Sequence, residues 1–341
     1  MLDALLGRRS LLAGLAACAA PNAFGAPSAF PEGATLLVAG APGGRADRWA
    51  DALSPSLGRA LAGASLTRQH LGGADGVTGA NQFEARAAPD GATALLVPGS
   101  AALARLSGDS RVRFDAARWV PVWASQTSAA LASRVRLMPG RPLRLAVSSV
   151  VGPEMAGLLA LELLGIDALA VPMTDNPVMA LARPEIDAVF LSGPYVREDA
   201  AALAAAGMPL AFTLGALNAA GETVRDPAYP DLPSAEEAIA KGRPDAPAGL
   251  QAARRAVTAA VQLDVALVLP QLSPASMVAW WRRGCSSLAQ SPEIQGEAAR
   301  SGARLANPQA GRSNTAAVAA DVPALLELRR WLSERHNWRP A

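Results

Sequence analysis

The chain is expected to fold as two α/β domains, and three observations carry that expectation. At 341 residues it is long enough for two domains of ordinary size, each with its own core. Short apolar runs of strand type alternate with Ala/Leu-rich stretches at helical spacing. The alternation begins again near Ala129 without repeating the sequence. Strands separated by helices imply parallel sheets with right-handed crossovers, and ligands bind such sheets beyond the carboxyl ends of the strands.

Taken in order, Thr35-Leu36-Leu37-Val38 reads as a strand that breaks at Gly40-Ala41-Pro42-Gly43-Gly44, with a helix over 49–61. A loop of this kind presents backbone N–H groups at a helix start and is a candidate anion cradle. A strand over 65–69 follows, then a glycine-rich loop over 72–79 and a helix over 80–87. Pro89-Asp90-Gly91 makes a turn, because Pro presets φ and Asp-Gly tolerates left-handed geometry. A third strand over 93–97 ends in Pro98-Gly99-Ser100, so the three glycine-bearing loops should converge on one edge. In the second half, strands are expected over 144–147, 168–171 and 186–190, with following loops at 148–153, 172–177 and 191–194. A further strand over 209–214 precedes an irregular connection over 215–250, which contains Pro227, Pro230, Pro233, Pro244 and Pro247. A return strand over 263–269 leads into helices over 273–289 and 322–335.

Apolar residues make up 51% and charged residues 18% of the chain, which is a globular composition. Formal net charge is +2 and no basic run is interleaved with aromatics, which argues against a nucleic-acid partner. Arg8-Arg9-Ser10-Leu11-Leu12 and the Ala-rich segment to Ala20 have the shape of an export signal over 1–29, of twin-arginine type or of the general secretory type. Leu15-Ala16-Ala17-Cys18 has a lipobox pattern that would lipidate Cys18; an incidental cysteine in an Ala-rich signal is the alternative. Cleavage beyond it would leave Cys285 alone, so no internal disulfide could form.

Catalytic signatures are lacking. The chain has only His70 and His336, and no H-E-x-x-H, G-x-S-x-G or G-x-x-x-x-G-K-[ST]. No metal site and no cofactor are expected. His70 precedes the second glycine loop and is read as a polar rim residue or as one reaching the cleft; His336 is read as surface, and Cys285 as a core thiol. Trp280, Trp281, Trp331 and Trp338 are read as packing against their own domain.

A family resemblance rests on the order of Pro42-Gly43-Gly44-x-x-Asp47, the 72–79 loop, Ala88-Pro89-Asp90-Gly91, Val171-Pro172, Asp231-Leu232-Pro233-Ser234-Ala235-Glu236-Glu237-Ala238 and Ser291-Pro292-Glu293-Ile294. From about Thr35 to its end the chain resembles the periplasmic solute receptors of tripartite tricarboxylate transporters, the Bug or TctC family. The resemblance implies a type II periplasmic-binding-protein fold, with 30–128 plus 265–341 as one domain and 129–264 as the other, closing around a ligand. It implies a periplasmic monomer that captures a small carboxylate and delivers it to a membrane permease. It also implies that the carboxylate lies between Pro42, Gly43, Gly44 and Asp47 on one side and Gly73, Ala74 and Gly76 on the other, held by backbone N–H groups and bridging waters. Asp47 would cap the helix or orient water, since like charges repel.

Several positions depart from the family pattern. Arg45 stands where a small residue is common, and either reaches a second carboxylate or points into solvent. Ser148 and Ser149 retain hydroxyls in a loop that has lost its glycines, and Thr174 and Asp175 replace another glycine-rich loop. Leu191-Ser192 stands where many relatives have Asp-Asn after the phenylalanine, which argues against an amino-acid ligand. Ser100 and Ser192 complete the expected binding set. Two further readings stay open: a periplasmic sensor for a membrane signalling protein, and a degenerate receptor with an altered ligand.

Overall fold

Leu36 and Val38 alternate with half-buried neighbours in β1 (Gly33–Val38), which lays one face of the strand on a helix. The computed structural model describes residues 33–60, 65–242, 245–305 and 308–340. The expected export signal, with Arg8, Arg9 and Cys18, lies outside the described residues. From β1 the chain passes through α1 (Arg45–Ala60) to β2 (Ser65–His70), α2 (Val77–Arg86), β3 (Thr93–Pro98), α3 (Gly99–Ser107) and β4 (Val120–Thr127). Only Ser128 separates β4 from β5 (Ala129–Ser133), which opens a second sheet.

There, β6 (Leu143–Val147), α4 (Met155–Leu163), β7 (Ala168–Pro172), β8 (Ala188–Ser192), α5 (Val196–Ala205) and β9 (Leu210–Thr213) follow. The expected irregular stretch holds a two-strand hairpin, β10 (Ala216–Leu217) with β11 (Thr223–Val224), and then α6 (Ala235–Gly242) and α7 (Ala248–Gln262). The start of α6 is set by a capping box: Ser234 N–H donates to Glu237 Oε2 at 2.8 Å, and Glu237 N–H donates to Ser234 Oγ at 3.1 Å. The return strand β12 (Leu263–Leu269) is followed by α8 (Ala275–Ser286), α9 (Pro292–Arg300), β13 (Ala303–Leu305), α10 (Pro308–Ala317) and α11 (Val322–His336).

The first sheet has six strands in the order β13-β4-β12-β3-β1-β2, and the second has five in the order β7-β6-β8-β5-β9. Within them β1, β2 and β3 are mutually parallel, as are β6, β7 and β8. Both sheets are nevertheless mixed, which corrects the expectation of parallel sheets. The chain leaves the first sheet through β4 and returns through β12, so β12 runs antiparallel to both β3 and β4. Likewise β5 enters the second sheet antiparallel to β8 and β9. Two helix starts also come earlier than expected: α1 begins at Arg45 and α2 at Val77, directly against their glycine loops.

One apolar cluster joins the inner faces of both sheets. Phe83 and Leu106 contribute from the first sheet's side and Leu145, Leu158 and Phe212 from the second, with Val257 of α7 and Leu328 of α11 between them. A second cluster covers the outer face of the first sheet, where Trp49 and Leu53 on one stripe of α1 meet Leu36, Val38, Trp281 and Cys285. A third, with Met173, Leu191 and Leu203, backs the second sheet. Helix α11 ties the two halves: Arg329 Nη2 donates to the Arg105 carbonyl of α3 at 3.0 Å, and Arg335 Nε to Glu162 Oε2 of α4 at 3.0 Å.

Candidate functional site

The three loops of the first sheet do meet at one edge. Gly76 has a left-handed φ of 81°, and a Cβ there would stand 2.7 Å from Pro98 Cδ, so the second loop presses directly on the third. A Cβ on Gly99 would stand 2.2 Å from the Ala260 carbonyl oxygen, which seats the start of α3 against α7. Between these loops and those of the second sheet lies a cleft of about 490 Å³. Of the expected binding residues, Arg45, Ala74, Ser100 and Ser192 line it. Asp75, Asp109, Arg111, Val151, Gly152, Gly193, Asp264 and Trp338 line it as well.

Carboxylates of the chain itself occupy donors on three of the surrounding loops. Asp47 Oδ2 accepts from Gly43 N–H at 2.6 Å, while its Oδ1 lies 2.5 Å from His70 Nε2. Burial pushes the Asp47 carboxyl up, but the bonds from His70 and Gly43 outweigh it and hold the group below its ordinary value. In the second loop Asp75 Oδ1 accepts from Val77 N–H at 3.1 Å, and its Oδ2 pairs with Arg111 at 2.7 Å. Arg111 also grips Asp109, whose carboxyl is lowered chiefly by that bond, and is itself raised by both acids. Across the cleft, Glu154 Oε1 accepts from Ser148 N–H at 3.1 Å and from Ser148 Oγ at 2.8 Å.

Arg45 stands at the first turn of α1 and reaches over the cleft. Its Nη2 is 3.3 Å from where a Cβ on Gly193 would lie, in the loop after β8, so the guanidinium closely approaches the second sheet's loop. On its other side Nη1 lies 3.0 Å from Asp264 Oδ1, with the arginine side chain 38% exposed and the aspartate side chain 0%. Asp264 occupies a register shift of β12 against β4, where Leu263 faces Gln126 and Val265 faces Ser125. Such a bulge re-aims a side chain. Asp264 Oδ2 accepts from Trp49 Nε1 at 2.6 Å and from Ser125 Oγ at 3.5 Å. Burial pushes the Asp264 carboxyl up, opposed by Arg45 and by the Trp49 bond.

Other expected residues lie outside the lining of this cleft. Pro42 and Gly43 are exposed, and the Gly44 N–H closes a turn onto the Ala41 carbonyl at 3.0 Å. Gly73 is exposed beside Ala74, and Gly76 is buried under Pro98. Ser149 Oγ accepts from Val151 N–H at 3.3 Å within its own loop, and Thr174 and Asp175 are exposed after β7. Leu191 is 1% exposed in the core behind the second sheet, and Ser192 is the neighbour that lines the cleft. His336 is not plain surface: it is half-buried with its ring 4.7 Å from that of Trp331, and burial lowers its basicity. Cys285 is buried, which pushes its thiol up to about 12. Among the described residues no cluster of three or more His, Cys, Asp or Glu could hold a metal.

Asp264 was legible in principle, as the lone acid in Leu-Asp-Val-Ala-Leu-Val-Leu, a strand every residue of which is buried. Arg111 carries no comparable signal, since it meets Asp75 from 36 residues away.

No protein-family model matches the chain, and no curated protein matches its sequence. Solved structures do match. A TctC solute-binding protein from Polaromonas, without ligand, superposes with a TM-score of 0.66 at 13% identity, covering 88% of this chain and 99% of that one. The fold is that of a TctC solute-binding protein. Rpa4515 of R. palustris, solved with adipate, superposes at 0.50 with 17% identity, covering 87% and 97%. No helix among the described residues is long and apolar enough to cross a membrane.

Proposed function

We propose that this protein is an exported, non-enzymatic receptor that closes two domains, 30–128 plus 265–341 and 129–264, on a small carboxylate and delivers it to a tripartite transporter in the membrane. The observation that carries the reading is Arg45, a half-exposed cation on the first domain that abuts Gly193 of the second. An anion held there touches both domains and therefore stabilises the closed state over the open one. Ala74, Ser100 and Ser192 would supply neutral contacts around it, and the adipate in Rpa4515 fits a ligand of that class. The cleft offers no nucleophile paired with a base, which favours binding over catalysis.

A second reading has its own support. Because Asp47, Asp75 and Glu154 fill donors that a ligand carboxylate would otherwise use, the protein is a receptor whose anion contact has moved from backbone N–H groups to Arg45. A thermal-shift screen of the mature protein against mono-, di- and tricarboxylates, amino acids and aromatic acids tests both. A carboxylate present at 100 times its dissociation constant should stabilise by about 2.7 kcal/mol. Arg45→Gln should remove that shift while Gly43→Ala leaves it. Loss with Gly43→Ala alone would return the contact to the backbone cradle, and a shift with amino acids only would overturn the carboxylate class.

A further inference from the structure

Asp264 is placed where a charge is hard to keep. It is 1% exposed, it sits on the strand by which the chain re-enters the first sheet, and the register shift there turns it toward α1. Trp49 from α1 and Ser125 from β4 both serve Oδ2. Oδ1 has no aligned hydrogen-bond donor, and its charge is met by Arg45 Nη1 at 3.0 Å. The other charged group that acts on it is Glu297 of α9, a buried acid held by Arg48 at 3.3 Å and Arg300 at 2.9 Å, so it offers no positive charge to Asp264. Arg45 is thus the one cation paired with Asp264 among the described residues, and it also lines the cleft, where the other arginine, Arg111, is already held by Asp75 and Asp109.

A guanidinium drawn to a ligand carboxylate leaves a buried carboxylate uncompensated, a state that costs more than neutralising it. We propose that anion binding in this cleft is coupled to the uptake of one proton: as the ligand takes Arg45, Asp264 Oδ1 takes a proton from solvent and remains in place as a neutral acid under Trp49. Net charge in the cleft then stays constant, since the incoming negative charge is matched by the proton. Asp264 acts on the ligand through Arg45 and is a positioning residue. The inference rests on the carboxylate-receptor reading for its ligand, but the response of Asp264 to Arg45 is a property of the protein alone.

The experiment has two arms. In the ligand-free arm, the mature chain carrying ¹³Cγ-labelled aspartate is followed by NMR at pH 7, with Asp264→Asn to assign the signal. Asp264 should be ionised in the native protein and protonated in Arg45→Gln; ionisation in both overturns the proposal. Should Arg45→Gln fail to fold, the neutral Arg45→Met replaces it, with the signal expected at the protonated position and overturning the proposal if it stays ionised. In the second arm, the carboxylate giving the largest thermal shift is titrated calorimetrically in buffers of different ionisation enthalpy. The expected result is about one proton taken up per ligand, and a dissociation constant that weakens about tenfold per pH unit above the Asp264 midpoint. In Asp264→Asn that slope should vanish. Binding with no proton uptake overturns the coupling and leaves the receptor reading standing. If no carboxylate binds at any pH, the receptor reading fails, and the first arm still decides whether Arg45 governs the charge on Asp264.

Discussion

In the first sheet two of the loops that face the cleft are seated by close backbone packing in addition to their side-chain ties: Gly76 is left-handed and pressed on Pro98, and Gly99 is pressed on α7. In the second sheet the corresponding loop over 148–153 is held by a side chain, Glu154, which binds the Ser148 N–H and hydroxyl. The difference sets what each half can tolerate. A backbone-locked loop fixes one wall of the cleft, whereas a side-chain-tied loop can be re-shaped by changing one residue.

The largest effect should come from Gly76→Val, where left-handed strain and a 2.7 Å approach to Pro98 Cδ combine. A loss of about 3 kcal/mol in urea unfolding is expected. Gly152→Ala, whose Cβ would meet the far end of Glu154 at 2.8 Å and the Ser149 carbonyl oxygen at a milder 3.3 Å, should cost about 1 kcal/mol or less. Equal costs would erase the contrast. Next in size, Glu154→Ala should lose about 1 kcal/mol by removing the bonds from Ser148. It should also strengthen carboxylate binding by freeing those donors; weaker binding would mean that Glu154 shapes the site rather than blocks it. The smallest effect concerns acid sensitivity. Because the Asp47 carboxyl is held below its ordinary value, its contribution is present above about pH 4, the unfolded value, and is lost as pH falls through the folded one. Asp47→Asn should flatten that part of the acid-unfolding curve.

The legible parts of the fold were those whose requirement is written in residue type. Gly76 and the Pro89-Asp90-Gly91 turn announce themselves because few residues adopt those geometries, and Gly91 then offers its carbonyl to Trp281 Nε1 at 2.8 Å. Helix α6 hid behind its prolines although Ser234 and Glu237 spell its capping box. The strand β4 carries Pro121, which speaks against a strand. The antiparallel return of β12 depends on where the chain re-enters the sheet, a fact no local pattern holds. In the site, the residue types that make a cradle were readable, but its occupants were not. Asp47 meets His70 from 23 positions away and Arg45 meets Asp264 from the far side of the second domain, pairings that only tertiary packing creates.

The buried thiol of Cys285 offers a way to watch this packing. A thiolate is the reactive species, so a group held up to about 12 is silent toward alkylating reagents while α8 stays packed. Labelling at this position must wait for the outer cluster of the first sheet to part, and its rate then measures the free energy of that local opening. Trp49 belongs to the same cluster and carries the indole that steadies Asp264. The sulfur of Cys285 thereby becomes a reporter on the ground beneath Arg45, readable by mass alone and without any ligand in hand.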